Sequence, residues 1–205
     1  MSEIDSKDRE RSLTLEGDEF VIEKKLLSLG KKYHIKDAER RLVGFCQEKS
    51  LKIKGELRVF TGEDENHELF RIKQRNMLDF TGTFEVIESG TANTIGFLKR
   101  NWVKSAVLGE WSLLDPDEKN IAKAKEDSLV KEVLRFKGLK RLPYRYKLLQ
   151  NGKKIGVCKQ RLSILGNTYK LQIEDKTGDK LDRRLLISLA LLLDAVEIKF
   201  KKIGK

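Results

Sequence analysis

The segment that decides the fold of this chain lies near its end, where residues 182–197 read DRRLLISLALLLDAVE. From Leu185 to Leu193 the segment carries no charge and one hydroxyl, in a chain of which 37% of the residues are charged. A membrane-spanning helix needs about 20 apolar residues, so this run is too short to be one. Its Leu and Ala content favours a helix over a strand. Because apolar side chains would surround its axis, we expect this helix to be buried on all sides.

The apolar helix begins with charged residues. Asp182 is predicted to be the N-cap, since a short carboxylate accepts hydrogen bonds from the first free amides of a helix. Arg183 and Arg184 follow it, at a position where positive charge opposes the helix dipole. We expect these two arginines either to pair with acidic side chains or to lie at the helix entrance in water or against an anion. The side chains predicted to form the core of the helix are Leu185, Leu186, Leu189, Leu192 and Leu193.

The middle of the chain is predicted to form a β-sheet. Short runs rich in β-branched and aromatic residues recur, such as EFVIEKKL from Glu19 and PYRYKLLQ from Pro143, and turn signals separate them. The Asn-Gly pair at 151–152 is a strong hairpin signal. One stretch, near 116–136, is predicted to be an additional helix, with Asp115 as its N-cap and a proline in its first turn.

Three of these predicted strands repeat one pattern. LVGFCQ, TIGFLK and KIGVCK each place an aliphatic residue before a glycine, at 44, 96 and 156. Alternate residues of a strand share one face, so the repeat predicts two sets of equivalent positions. The set predicted to face the interior is Cys46, Leu98 and Cys158. The set predicted to face the other side is Gln47, Lys99 and Lys159.

About a dozen strands and one fully apolar helix favour a closed antiparallel β-barrel, because closure removes the exposed edges of a sheet. Side chains alone would not fill a barrel this wide, whereas a Leu-rich helix threaded through the lumen would. We therefore predict a mainly β single domain over residues 19–205, with the central hydrophobic helix near its C-terminal end. Residues 1–18 are predicted to form an acidic, disordered leader.

Charge is distributed unevenly along the chain. Residues 1–19 carry a net charge of −4 and the whole chain +11, so residues 20–205 carry +15. A body this basic favours anionic partners, which include nucleic acid, acidic lipid and acidic protein. The N-terminal segment has no apolar run typical of a signal peptide. Cys46 and Cys158 lack metal-ligand spacing or a disulfide framework, so we expect reduced, buried thiols in a cytoplasmic protein.

The sequence contains no nucleophile elbow, P-loop, dinucleotide fingerprint or zinc-ligand spacing. The loop TGEDENHE at 61–68 offers oxygen ligands that suit calcium, but it lacks the EF-hand spacing. We therefore expect no catalytic residues, no cofactor and no bound metal, and a solvated hairpin loop at 61–68.

Four segments, taken in order, resemble a known family. EFVIEKKLLSLGKKYHIKD, ELFRIKQRNMLDFTGTFEVIE, LPYRYKLLQNGKKIGVCKQ and DRRLLISLALLLDAVE look like the LURP-one-related proteins, from about Glu19 to Glu197. That family belongs with the phospholipid scramblases to the tubby C-terminal-like superfamily, and the resemblance implies a twelve-stranded antiparallel barrel around a central hydrophobic helix. Tubby-like domains bind phosphoinositide headgroups through Lys and Arg. Their basic residue on a G-x-L-[RK] strand corresponds to Lys99 in GFLK, and Lys159 in GVCK is its repeat equivalent.

We therefore expect a non-enzymatic binding module that docks on anionic phospholipid headgroups or membrane surfaces. Its candidate anion-binding residues are Lys99, Lys159, Arg183 and Arg184, and we expect it to associate peripherally, without a transmembrane segment. The alternative is a nucleic-acid-binding protein or a protein-interaction scaffold with a basic surface. Nucleic acid is less favoured, because the sequence lacks an aromatic and basic strand platform for single strands and a helix that would read a groove.

Overall fold

The computed structural model describes residues 15–25, 30–49, 56–75, 82–101, 109–127, 143–161, 166–174 and 181–195. In this part of the chain, twelve strands form one closed antiparallel barrel, and one helix runs through it. Each strand pairs with its neighbours in sequence, and β1 closes the barrel against β12. The predicted fold class is confirmed. The elements are β1 Glu19–Lys25, β2 Lys32–Lys36, β3 Leu42–Lys49, β4 Glu56–Phe60, β5 Glu68–Gln74, β6 Thr83–Glu88, β7 Thr94–Arg100, β8 Glu110–Leu114, β9 Asn120–Glu126, β10 Arg145–Gln150, β11 Lys153–Arg161, β12 Thr168–Ile173 and α1 Arg183–Ala195.

Helix α1 fills the barrel, and every residue from Leu185 to Ala195 is buried. The five leucines predicted to form its core are among them. Asp182 caps the helix as predicted, since its carboxylate accepts a hydrogen bond from the Arg184 amide at 2.8 Å and its carbonyl from the Leu185 amide at 3.1 Å. The helix contacts β1, β6, β7 and β12.

The strands alternate between interior and exterior as the repeat predicts. Cys46, Leu98 and Cys158 are at most 1% exposed and belong to the interior apolar cluster. Aromatic side chains complete this interior from several strands, and they include Phe20, Tyr33, Phe70, Trp111 and Tyr169. The inward side of the barrel is therefore mainly apolar, with a few buried polar groups such as Asp194 and Gln160.

Each of the three repeat glycines directly follows a β-bulge, at Val43, Ile95 and Ile155. A side chain at Gly96 or Gly156 would collide with a carbonyl oxygen of the neighbouring strand, so the repeat requires glycine at both positions. The three bulges lie on β3, β7 and β11, which are four strands apart in a barrel of twelve. Equivalent positions of the repeat are therefore about a third of the circumference apart.

The additional helix predicted near 116–136 is wrong over its first part. Residues 115–119 form a tight turn in which the Asp115 carboxylate accepts a hydrogen bond from the Lys119 amide at 2.8 Å, and strand β9 follows. Ala and Lys favour helices, but β9 pairs with β8 and β10 on both sides, and this tertiary pairing overrides local propensity. Ala122 and Ala124 are buried, with Lys123 between them and Lys125 after them. The rest of the predicted helix, from residue 128, lies outside the described residues.

Part of the segment assigned to the acidic leader lies against the barrel. Leu15 is buried and joins the interior cluster. The carbonyl of Asp18 accepts a hydrogen bond from the Ile173 amide at 2.8 Å, which extends the pairing of β1 with β12. Residues 1–14 and 196–205 lie outside the described residues.

A candidate anion-binding face

Lys99 and Lys159 both project from the outer surface of the barrel, because each follows a buried, inward-facing residue. Lys99 on β7 is exposed, and Lys159 on β11 is half-buried. Strands β7 and β11 are four positions apart around the barrel, so the structure does not bring these two predicted site residues to one place. Their surroundings differ, and only one of them lies within a group of cations.

Lys159 is the middle residue of a row of three cations across three adjacent strands. Arg145 on β10 lies directly opposite it on one side, and Lys170 on β12 lies directly opposite it on the other. Directly opposite residues of antiparallel strands have Cα atoms about 4.5–5.5 Å apart. Like charges at this spacing destabilise a sheet. We call these three residues the basic row.

Three more cations extend the basic row on the same outer surface. Lys147 on β10 lies directly opposite Lys125 on β9, which forms another like-charge pair, and Lys123 lies one outward position along β9. The side chains of Lys123, Lys125, Arg145 and Lys147 are 39–50% exposed. We call the whole set the basic face. Its members are Lys123, Lys125, Arg145, Lys147, Lys159 and Lys170.

Three carboxylates border the basic face, one for every two of its cations. Glu110 lies 3.9 Å from Lys123 and 3.7 Å from Lys125. Asp127 lies 3.3 Å from Lys147 and 3.6 Å from Arg145. These distances are long compared with the roughly 2.8 Å of a strong charged hydrogen bond. The face therefore keeps a net positive charge that is available to a ligand.

The remaining carboxylate and the central lysine complete the electrostatic pattern. Glu19 pairs with Lys170 at 2.7 Å. Within the described residues Lys159 makes no ion pair, and its ammonium donates a hydrogen bond of 3.5 Å to the neutral amide oxygen of Gln172. The centre of the basic row is therefore its least neutralised position.

Arg183 and Arg184, the other predicted candidates, lie at the helix entrance and pair with acidic side chains. Arg183 is buried and donates to Asp18 at 2.7 Å, and also to two backbone carbonyls. Arg184 donates to Asp182 at 2.7 Å and to Glu88 at 2.5 Å. Of the two arrangements expected from the sequence, pairing is the one found, so both guanidinium groups are already engaged by carboxylates of the chain.

A second buried ionic group holds the other end of the helix. Asp194 is 1% exposed, and its carboxylate accepts hydrogen bonds from Lys24 at 2.6 Å and from the Tyr33 hydroxyl at 2.8 Å. Asn167 and Tyr169 also donate to it, both at 3.2 Å. Burial first, and then the charge of Asp194, raise the pKa of both tyrosines. This group ties the helix to β1, β2 and β12.

The acidic loop at 61–68 folds back onto the barrel instead of gathering its carboxylates. Glu63 accepts hydrogen bonds from Lys25 at 2.8 Å and contacts His34 at 2.6 Å, and these partners lower the pKa of its carboxyl group. Within the described residues no group of three or more His, Cys, Asp and Glu side chains is arranged to hold a metal ion. Among the described residues, no helix has both the length and the apolar character needed to cross a membrane.

Sequence reasoning identified Lys159 but missed its five companions on the basic face. Lys123 and Lys125 were assigned to a helix, although the alternation in IAKAKE is the signal that would have placed both lysines on one face of a strand. Arg145, Lys147 and Lys170 alternate with buried residues in the same way. Their assembly depends on strand order, which no local pattern contains.

Comparison with known proteins agrees with this architecture. The model of the LURP-one-related family matches residues 18–194, which spans all twelve strands and nearly the whole of the helix. No curated protein matches the chain.

Proposed function

The chain belongs to the LURP-one-related family, and from that premise we propose that it is a non-enzymatic binding module whose basic face docks on anionic phospholipid headgroups. The observation that carries the proposal is the basic row, in which Lys159 lies directly between Arg145 and Lys170. A phosphate oxygen between these side chains would replace repulsion by attraction. Because the row lies on the outer surface of the barrel, a membrane surface can approach it without any change in the fold.

A headgroup layer suits this arrangement energetically. The cations of the basic face lie on four neighbouring strands, so several can reach one anionic surface together. Each lysine near an acidic membrane contributes on the order of 1 kcal/mol to binding. Several such contributions are enough for reversible peripheral attachment without insertion of an apolar segment.

Lipid is favoured over single-stranded nucleic acid because the described part of the basic face lacks exposed aromatic side chains. Proteins that bind single strands stack bases on exposed aromatic side chains. The described aromatic residues within β9–β12 are Tyr146 and Tyr169, and both are buried in the interior cluster. The basic face thus offers charge without a stacking platform, which matches a phosphate surface better than a string of bases.

Vesicle flotation tests the proposal directly. The wild-type chain is mixed with vesicles of phosphatidylcholine alone, or of phosphatidylcholine with phosphatidylserine, and only the second should carry it upward. Lys159→Glu should weaken binding by about tenfold or more, since reversing one charge removes and then opposes about 1 kcal/mol of attraction. Lys73→Glu makes the same charge change at an exposed position of β5, on the opposite wall. Because Lys73 lies directly between Glu56 and Glu85, thermal melting first verifies that this control variant folds. Lys73→Glu should bind nearly as well as wild type.

The same preparation distinguishes the alternatives. Equal recovery with neutral and anionic vesicles would overturn the proposal. A salt-dependent mobility shift of duplex or single-stranded DNA, weakened by Lys159→Glu but not by Lys73→Glu, would assign the basic face to nucleic acid instead. Loss of binding in both variants alike would mean that overall charge, and not the basic row, attracts the membrane.

A further inference from the structure

Among the described residues, the carboxylate that makes the shortest ion pair with the basic face is that of Glu19, at the start of β1. Its Oε1 lies 2.7 Å from the Lys170 ammonium, whereas the ion pairs that Glu110 and Asp127 make with the face are 3.3–3.9 Å long. This hydrogen bond from Lys170 lowers the pKa of the Glu19 carboxyl group, so the group stays charged. A carboxylate of the chain thus already occupies one end of the basic row.

Glu19 also reaches the centre of the row through one amide. The Gln172 side chain donates a hydrogen bond to Glu19 Oε2 at 3.1 Å, and its own oxygen accepts a hydrogen bond from Lys159 at 3.5 Å. Two of the three cations of the basic row are therefore engaged by Glu19, one directly and one through Gln172. The carboxylate contacts the Lys170 ammonium, which an incoming phosphate would also contact, and Gln172 holds the Lys159 ammonium beside it.

The contact is built so that only a side chain needs to move. Glu19 and Lys170 are 29% and 32% exposed, so water and ligands reach both. The backbone at Glu19 is fixed, because Glu19 lies directly opposite Gln172 and the preceding Asp18 is tied to Ile173 and Arg183. A change of rotamer at Glu19 would open the end of the row while β1 stays in place.

We propose that Glu19 is an autoinhibitory residue that competes with the anionic headgroup for Lys170 and, through Gln172, for Lys159. The inference rests on the proposed function of the basic face and names a regulator of that site. An ion pair between half-exposed side chains is worth little, so the expected effect on affinity is about two- to fivefold. Membranes of higher negative charge would displace Glu19 more readily, which makes docking depend more steeply on the anionic lipid content than it would without the carboxylate.

The test compares two substitutions that change net charge equally and lie on the same strand. Glu19→Gln keeps the shape of the side chain and removes the competing charge. Glu23→Gln is the matched control, because Glu23 lies as near to Lys170 in register as Glu19 does, but its carboxylate pairs with Lys36 at 2.7 Å and Arg40 at 3.0 Å. Both variants and the wild type are titrated with vesicles of phosphatidylcholine and phosphatidylserine, after thermal melting has verified that they fold.

Glu19→Gln is expected to bind these vesicles about two- to fivefold more tightly than wild type, and Glu23→Gln equally to wild type. A second pair of variants, Lys170→Ala with and without Glu19→Gln, separates direct competition from a general charge effect. In a Lys170→Ala background the gain from Glu19→Gln should shrink, because its direct partner is gone, whereas two independent effects would add.

The outcomes distinguish this inference from the function on which it rests. If wild type binds and Glu19→Gln binds no better than Glu23→Gln, the autoinhibition is wrong and the docking proposal stands. An undiminished gain in the Lys170→Ala background would also overturn it. If neither wild type nor Glu19→Gln binds the anionic vesicles, the docking proposal itself fails and the inference falls with it.

Discussion

Two rows on the outside of the barrel occupy equivalent places in the internal repeat and differ sharply in charge. Lys99 on β7 lies directly between Thr83 and Ser112, so its neighbours in register are neutral hydroxyl groups. Lys159 on β11, its repeat equivalent, lies directly between two cations. The residue that precedes each lysine is buried in the same interior. The repeat therefore fixes which way each lysine points, but leaves its neighbours unconstrained.

The difference indicates where function acts on the molecule. Inside the barrel the equivalent inward positions of the three repeats, Cys46, Leu98 and Cys158, all belong to one apolar cluster. Outside, the row around Lys99 is electrostatically ordinary, whereas the basic row concentrates repulsion that a single acidic substitution would relieve. Sites that keep such unfavourable arrangements often do so for activity, at some cost in stability. The comparison thus favours Lys159 over Lys99 as the centre of the candidate site.

The largest expected effect comes from disrupting helix α1, because the barrel that carries both rows packs around this helix. Leu189 is fully buried in α1. Leu189→Asp should abolish folding, because an unpaired buried carboxylate costs several kcal/mol, roughly the whole stability of a domain. Circular dichroism and thermal melting of the purified variant measure this, with Leu189→Met as a volume-conserving control that should melt cooperatively. A soluble Leu189→Asp protein with a cooperative transition would show that the barrel does not depend on its central helix.

A smaller effect is expected at the far end of the helix, where Asp194 joins β2 and β12. Its carboxylate accepts hydrogen bonds from Tyr33 on β2 and Tyr169 on β12. Asp194→Ala should lower the free energy of unfolding by about 3 kcal/mol, because it leaves Lys24 and buried hydroxyl groups without their acceptor. Urea denaturation measures the change. Asp194→Asn retains one acceptor oxygen and should be less destabilising, and equal losses in the two variants would contradict this account.

The two rows themselves are expected to respond differently to the same substitution. Lys159→Glu converts three like charges in register into an alternating row and should raise the free energy of unfolding by about 0.5–1 kcal/mol. For a domain of this size that corresponds to a rise in melting temperature of about 1–4 °C. Lys99→Glu, with its neutral neighbours, should change stability by less than about 0.5 kcal/mol.

This pair of variants links stability to binding with opposite signs. Lys159→Glu should be the more stable protein and the poorer binder of anionic vesicles, and Lys99→Glu should differ less from wild type in both measurements. Thermal melting at low ionic strength gives the clearest signal, since salt screens interactions between exposed charges. A destabilised Lys159→Glu would mean that the three cations of the basic row do not repel one another in the folded protein.

The fold could be predicted because its main determinants are local patterns. An all-round apolar run such as 185–193 specifies a buried helix, and residues that alternate about Cys46 or Cys158 specify strands with one apolar face. The failure was at β9, where Ala and Lys carry helix propensity and the deciding interaction is pairing with β10 across a long connection. Propensity is a local quantity, and it gave the wrong answer where pairing between distant strands decided the structure.

The candidate site could be predicted only in part, for the same reason. The repeat identified Lys159 and its outward direction. Its partners Arg145 and Lys170 are opposite it only because β11 pairs with β10 and β12 in one particular register, and the bulge at Ile155 on β11 shifts its pairing with β10 by one residue. Strand order and bulges are set by the whole barrel, so the basic row becomes visible only in three dimensions.

The smallest expected difference is between the reactivities of the two buried thiols, which compare the two walls from the interior of the barrel. Cys46 and Cys158 occupy equivalent inward positions of the first and third repeats, and both are almost completely buried. Burial raises the pKa of the Cys158 thiol to about 12, and it also raises the pKa of Cys46, to which the charge of Glu48 contributes. Because the thiolate is the reactive form, neither residue should react with a thiol reagent until the barrel opens.

If one cooperative barrel contains both repeats, the two cysteines should become reactive together, with the same dependence on denaturant. Pulse labelling at increasing urea, with mass spectrometry to separate the two sites, measures this. The variants Cys46→Ala and Cys158→Ala verify that each site reports independently. Labelling of Cys158 well below the unfolding midpoint, with Cys46 still protected, would mean that the wall carrying the basic row opens locally. In that event the physical cause to test next would be the repulsion within the basic row, which is present only on the wall that contains Cys158. Repeating the labelling in Lys159→Glu would test it.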